Sequence, residues 1–449
     1  MAQGTMKSFK VWTRWRPLRP FESQGEITRK SDQHPDNHQS RIAVVASSQA
    51  QGLSSRERSW KSGFSFDGII EPNERNDMVY DRIVAPIIPE VLQGKCCNFF
   101  AYGNSGSGKT HNMIGYEFEH DDGFGLCLAS ARQLASKLDE INTRDSNYRF
   151  GIGLRATAAF DLLNNRNECF VREGPDRKVH IRGQMEMLAN GQVRVRPIAT
   201  RACWSFEDLK RGLKVGLKHR NTATSTVHDQ SSRAHAIVEM EIITKDFIDA
   251  RDTVVKRQSE LVPVGKHTAD VYIVENSRAI ILSDDGKYIP NPDYQLNQER
   301  VDAAEAQKAK FEARVKEAEG HEFEIFTEIA RTHECIGGKI VFVDLAGAEF
   351  LSHSAGTGPK QSAQEKQQGK QINTDLLALK EVIRARSLAQ PRIPYRSSPL
   401  TMVLREHFEA SNDAHSSMIL TVSPGADQYA ATMNTLKYGD LVGSANMHR

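Results

Sequence analysis

The chain is 449 residues long, and no apolar run in it approaches the roughly 18 residues that a membrane span needs. Its opening stretch, MAQGTMKSFKVWTRWRPLRP, lacks the apolar core of a signal peptide. The six cysteines (Cys96, Cys97, Cys127, Cys169, Cys203 and Cys335) make no C-x-x-C pair. That spacing argues against a zinc site and against a disulfide framework, and predicts buried, reduced thiols of a cytosolic protein. Excess charge is absent too. Lys and Arg number 59 and Asp and Glu 57, a net of +2, so composition does not push the chain toward nucleic acid or an anionic membrane. An acidic partner would have to be met by local basic patches. No internal repeat is visible.

With 39% apolar residues the chain has enough material for a substantial core. One large domain, or one domain with an insertion, fits the length. FKVWTRW alternates as a strand and stops at Arg16-Pro17. Residues 21–62 are polar and read mostly as loop. DMVYDRIVAPIIPEVLQG has helical spacing, with Pro86 and Pro89 expected to kink it. CCNFFAYG reads as a buried central strand. LCLASARQLASKLDEI and SFEDLKRGLKVGLKHR are amphipathic helices, the second with Ser205 and Asp208 at capping-box spacing. AHAIVEMEIIT and KIVFVDLAG are strands, and the tail alternates helix and strand again. This alternation predicts an α/β fold with a buried sheet.

Residues 245–337 stand apart as a polar excursion. ADVYIVENSRAIILSDDGKYI reads as two strands joined at Asn276-Ser277. NQERVDAAEAQKAKFEARVKEAEG is a strong helix former whose partial stripe, Val301, Ala304, Phe311, Val315 and Ala318, is interrupted by Lys308. A short coiled coil and a solvated helix with a thin apolar face packed on its own protein are both compatible with that pattern.

The chemistry centres on FFAYGNSGSGKTHNM. Gly103, Gly108, Lys109 and Thr110 spell G-x-x-x-x-G-K-[ST] between a predicted strand and a predicted helix. Glycines let successive N–H groups turn inward at phosphates, Lys109 suits the β/γ-phosphates, and the Thr110 hydroxyl suits Mg²⁺. VFVDLAGAE adds D-x-x-G: Asp344 for a Mg²⁺-bound water, and the Gly347 N–H as a sensor of the γ-phosphate. In STVHDQSSRAHAIVEM, Ser231 and Ser232 precede Arg233, which could pair with Glu349; an ordinary polar loop with an N-cap serine is the alternative. The guanine signature N-K-x-D has no counterpart, because the chain contains no Asn-Lys dipeptide, so ATP is favoured over GTP. Arg14, Arg16 and His111 could flank a flat base.

Taken in order, these pieces resemble the kinesin motor domain. VWTRWRPL is similar to that family's opening strand, FFAYGNSGSGKTHNM to its P-loop, HDQSSRAHAIVEM to its switch I and VFVDLAGAE to its switch II. QINTDLLALKEVI, IPYRSSPLTMVL and MILTVSPGADQYAATMNTLKYGD resemble the later helices and last strand. The resemblance spans residues 1–449 apart from the excursion at 245–337, which falls between the two switch strands. It implies a P-loop NTPase fold, with a mixed, mainly eight-stranded sheet, helices on both faces and an inserted hairpin/helix arm. It also implies ATP and Mg²⁺, an ATPase activity stimulated by microtubules, and a place in the cytoplasm on the microtubule cytoskeleton. Carried over by residue, Arg14, Arg16, Pro17 and His111 would hold adenine, and Asn104, Ser105, Gly106, Ser107, Gly108, Lys109 and Thr110 would cradle the phosphates. Thr110, Ser232 and Asp344 would serve Mg²⁺. Ser231 would lie near the lytic water, Gly347 would sense the γ-phosphate, and Arg233 with Glu349 would latch the site. Lys360, Lys366, Lys370 and Arg396 would face the acidic tubulin surface.

The chain departs from the family pattern in places. His228, Ala234 and Ala348 replace an asparagine and two serines of the switches, and Pro399 and Met402 stand where a lysine and an arginine are usual. These changes keep a second class of function in play beside the motor: a non-motile scaffold on the kinesin fold, with the excursion as a docking arm.

Overall fold

The computed structural model describes residues 9–20, 27–35, 39–46, 58–115, 118–158, 160–165, 167–173, 179–187, 193–221, 235–282, 286–347, 363–388, 390–409 and 415–444. Its centre is a ten-stranded mixed sheet. In chain order the strands are β1 (Lys10–Trp15), β2 (Gly68–Ile70), β3 (Cys96–Tyr102), β4 (Phe150–Thr157), β5 (Phe160–Asp161), β6 (Asn167–Glu168), β7 (Arg201–Cys203), β8 (Ala236–Thr244), β9 (Lys339–Asp344) and β10 (His415–Val422). They lie side by side as β2-β1-β10-β3-β9-β8-β4-β5-β6, with β7 beside β4. The two-residue edge strands β5 and β6 help bring the number above the expected eight.

β3 is buried at all seven positions because it sits in the middle, flanked in parallel by β9 and β10. Its side chains alternate between two cores. Cys97, Phe99 and Ala101 join α1 (Asn76–Ile83), α3 (Leu126–Arg144) and α4 (Phe206–Asn221). Cys96, Phe100 and Tyr102 join α7 (Ala363–Ser387), α8 (Pro399–Glu409) and α9 (Tyr429–Ser444). The one-turn α2 (Lys109–Met113) follows directly after the glycine loop and buries Met113 in the first of these cores. The prolines act as expected: α1 ends at Ile83 and the chain continues as short turns at Ala85–Ile87 and Ile88–Val91. Ser205 accepts from the Asp208 N–H, as the capping spacing predicts, while the Asp208 carboxylate accepts from the N–H of Trp204, one residue before the cap.

Two expectations are corrected among the described residues. Within 21–62, read mostly as loop, the described residues are mainly strand: Thr28–Gln33, Ser40–Ala46 and Arg58–Lys61 form a three-stranded antiparallel sheet, seated through the buried Ile42 and Val44. The excursion is not a strand pair followed by one helix. β8 runs without a loop into α5 (Lys245–Ala279), capped by the Thr244 hydroxyl, which accepts from the Phe247 N–H. α5 pairs along its length with α6 (Gln298–Thr332). Asn276 and Ser277, read as a turn, lie inside α5 and donate back to the carbonyls of Tyr272 and Val274. Tertiary packing overrides the β-propensity of VYIV. Phe247, Ala250 and Val254, then Thr268, Val271 and Glu275, are buried at 3–4 spacing, and Val301, Ala304, Val315 and Ala318 are buried on α6. Among the described residues of the excursion, only Ile280–Leu282 and Tyr288–Pro290 pair as strands, in an exposed ribbon at the far end of the arm.

Candidate nucleotide site

The loop at residues 103–108 leaves the carboxyl end of β3, where ligand sites of open α/β sheets are found. Gly103 is required by space: a Cβ there would lie 2.2 Å from the Thr421 carbonyl of β10. Gly106 (φ +71°) and Gly108 (φ +100°) take left-handed conformations that turn the chain into α2. Ser107 braces the loop, donating to the Asn104 carbonyl at 2.8 Å with its hydroxyl 2.7 Å from that of Thr421. The buried Lys109 ammonium donates to the carbonyls of Gly103 (3.0 Å) and Asn104 (2.8 Å). Asn104 donates to Gln428, while its own Oδ1, buried, has no hydrogen-bond partner among the described residues.

The D-x-x-G segment comes to this loop as the motif predicts. The Thr110 hydroxyl donates to Asp344 Oδ2 at 2.7 Å. Gly347 packs so closely that a Cβ on it would sit 2.8 Å from the Ser105 nitrogen. Asp344 Oδ1 is buried without a hydrogen-bond partner among the described residues. A hydroxyl beside a carboxylate with a free oxygen is a donor set for a hard cation such as Mg²⁺.

Two residues that sequence reasoning missed complete this corner. Arg220, at the end of α4, donates to Asp344 Oδ2 at 2.6 Å, with both side chains 3% exposed. His235, just before β8, accepts from the Ala346 N–H through Nδ1 at 3.1 Å. Burial lowers its pKa to about 4, so the ring is neutral near pH 7 and Nδ1 keeps its lone pair. A signal for His235 was present, since it closes the switch I motif. Nothing local marks Arg220.

A cavity of about 290 Å³ opens beside the loop and gathers Arg14, Arg16, Pro17, Ser107, Gly108 and His111. Arg16 donates to the Pro17 carbonyl and to Ser423 Oγ. Arg14 is held by Asn76, Asn112 and the Glu74 carbonyl, and burial lowers its pKa to about 10. His111 is lowered as well, by burial and by the Arg14 charge.

Ser231, Ser232, Arg233, Glu349 and Lys360 lie outside the described residues, as do His228, Ala234 and Ala348. Lys366 falls within α7, Lys370 is exposed on the same helix, and Arg396 is exposed and donates to Glu173 at 2.7 Å. Arg405 of α8 joins the same carboxylate at 3.3 Å.

The family model described as kinesin motor domain matches residues 14–264 and 313–444. The chain belongs to the kinesin motor domain family. The chain is 27% identical over 445 residues to the kinesin-like protein KIN-13A of Oryza sativa subsp. japonica, covering 98% of this chain and 42% of that protein. It is 25% identical to KIN-13B of Arabidopsis thaliana (98% of this chain, 48% of that protein) and 26% identical to the human kinesin-like protein KIF24 (84% and 20%). It therefore spans less than half the length of these curated relatives. Among solved structures, one titled "Structure of a fast kinesin: Implications for ATPase mechanism and interactions with microtubules" superposes with a TM-score of 0.59 at 20% identity, over 97% of this chain and 91% of that one. The kinesin fold accounts for the meeting of P-loop and D-x-x-G segment at the ends of the adjacent strands β3 and β9. Residues 265–312, the outer part of the α5–α6 arm, lie between the two matched stretches of the family model.

Proposed function

We propose that this kinesin domain hydrolyses MgATP and couples the closure of its switches to binding and movement on microtubules. The observation that carries the reading is the Thr110–Asp344 bond with Gly347 lying against Ser105. It joins the phosphate loop to a segment able to report whether a γ-phosphate is present. Mg²⁺, held through Thr110 and Asp344 with Ser232, would neutralise charge on the transferred phosphoryl group. The backbone N–H groups of the loop at 104–110 and the Lys109 ammonium would orient and stabilise the phosphates. Ser231 positions the attacking water, and Arg233 with Glu349 closes the site. The neutral His235 holds the D-x-x-G backbone through Ala346. No strong nucleophile is involved, so the catalytic power is positioning and electrostatic stabilisation.

Lys360, Lys366, Lys370 and Arg396 form the basic face toward tubulin, in the cytoplasm on the microtubule cytoskeleton. Within the stretch at 245–337, the outer part, residues 265–312, is an insertion between the switch strands, and the arm docks a further partner. One observation favours a second reading, a non-motile scaffold: Arg396 and Arg405 already share Glu173. Steady-state ATPase activity with and without microtubules separates the two. Stimulated turnover that Lys109→Ala abolishes is the expected result. Turnover unchanged in Lys109→Ala refutes the site, and absent stimulation without salt-sensitive co-sedimentation refutes the microtubule reading.

A further inference from the structure

Resting on that reading of the cavity as a nucleotide site, we propose that Arg14 is a positioning residue and not a base contact. With Asn76 and Asn112 it forms a clamp that fixes His111 and the short helix α2.

Three of the five guanidinium N–H donors are engaged in the clamp. Nη1 donates to Asn76 Oδ1 at 2.5 Å and to Asn112 Oδ1 at 2.6 Å, which uses both of its N–H bonds. Nη2 donates to the Glu74 carbonyl at 3.1 Å. The clamp continues outward, since Asn76 Nδ2 donates to the His111 carbonyl at 3.1 Å. Asn76 and Asn112 are 4% and 0% exposed, so these amides are built into the core and are not a wet surface.

Four segments meet at this one fork: β1 through Arg14, the 72–75 turn through Glu74, α1 through Asn76 and α2 through Asn112. The last connection matters most. A helix of five residues cannot hold itself, because nucleation costs more than one turn of hydrogen bonds returns. α2 must therefore be held by its surroundings, and Asn112 is its tie to β1. α2 carries Lys109 and Thr110 at one end and His111 in the middle, so its placement sets both the phosphate contacts and the ring at the base.

The hydrogen-bond partners of Arg14 in the clamp are amide and carbonyl oxygens, and the Glu74 carboxylate attracts its charge as well. His111, held through its carbonyl by Asn76, sets its flat ring on the cavity wall. Base recognition then falls to His111, Arg16 and Pro17, and Arg14 acts through them.

The test is equilibrium binding of ATP and of base-free tripolyphosphate to wild type, Arg14→Ala, Asn112→Ala and the double variant, each checked for a native thermal transition. A clamp predicts that each single change weakens both ligands by about tenfold. The double variant should be no worse than either single within about twofold, because the residues act as one unit. Arg14→Lys should not rescue, since an ammonium cannot span both amides as a fork. The proposal is overturned if Asn112→Ala leaves ATP binding unchanged while Arg14→Ala weakens it, if the effects multiply, or if the loss is confined to ATP and spares tripolyphosphate. If Asn112→Ala does not fold, Asn112→Ser takes its place with the same expectations. Failure of wild type to bind either ligand refutes the nucleotide reading itself and is seen before any variant is compared.

Discussion

Consider replacing His407 with leucine. His407 on α8 lies 3.5 Å through Nε2 from Glu239 Oε1 on β8, and the two residues are 4% and 8% exposed. Burial works against both charges, but their attraction outweighs it. His407 is raised to about 10, and Glu239, helped by Arg155 at 3.9 Å, is held well below the usual carboxylate range. At neutral pH the pair is ionised inside the protein. Deleting one partner leaves a buried charge, which costs about 3–5 kcal/mol. Arg155 stays within reach of Glu239 and is 29% exposed, so the lower end, about 3 kcal/mol, is expected here. The double change His407→Leu/Glu239→Leu removes both charges and fills similar volume, and should return to within about 1 kcal/mol of wild type. Urea unfolding at pH 7 measures all four corners of the cycle. pH adds a second arm. A histidine raised from an ordinary value near 6.5 contributes stability that is complete below 6.5 and is lost as pH climbs through about 10. The gap between wild type and the double variant should therefore shift against wild type from pH 7 to pH 10. The reasoning is refuted if His407→Leu alone is as stable as wild type at pH 7, or if that gap does not move with pH.

Two further outcomes are expected. Gly347→Ala places a Cβ 2.8 Å from the Ser105 nitrogen, so hydrolysis should fall by about a hundredfold or more while ATP affinity, measured by equilibrium binding, changes only a few-fold. Arg251→Met removes the fork that holds Glu241 at 2.7 and 2.9 Å and Glu322 at 3.1 Å, so amide exchange at the roots of α5 and α6 should quicken about tenfold, with Lys109-dependent nucleotide binding unchanged.

The nucleotide loop was legible because its chemistry is local. Gly103 to Thr110 occupy eight consecutive positions, and the left-handed turns at Gly106 and Gly108 require glycine whatever surrounds them. The Asp344-to-Gly347 segment was legible for the same reason, as a short motif on an apolar strand. The 28–61 sheet was not: its strands are polar on their outer face, and only Ile42, Val44 and the register of the pairing show where they belong. The α5 helix was misread at VYIVENS because β-branched residues favour strands in isolation, and their helical state depends on a partner helix some thirty residues on.

Long-range pairs were beyond reach. Arg220 lies 124 residues from Asp344, and His235 lies 111 from Ala346. Arg14 reads from sequence as a residue flanking a base, yet its Nη1 is taken by amides 62 and 98 residues away. Glu239 and Glu241 lie on a strand whose burial the sequence does not state, and the structure buries both against His407, Arg251 and Lys339. The sequence by itself determined the phosphate loop, the D-x-x-G segment and the alternation of helix and strand, since each is set by backbone conformation and residue period over a few positions. Tertiary structure alone decided which charges are buried, what each is paired with, and which arginine acts through its neighbours, because those are set by what folding brings within about 4 Å.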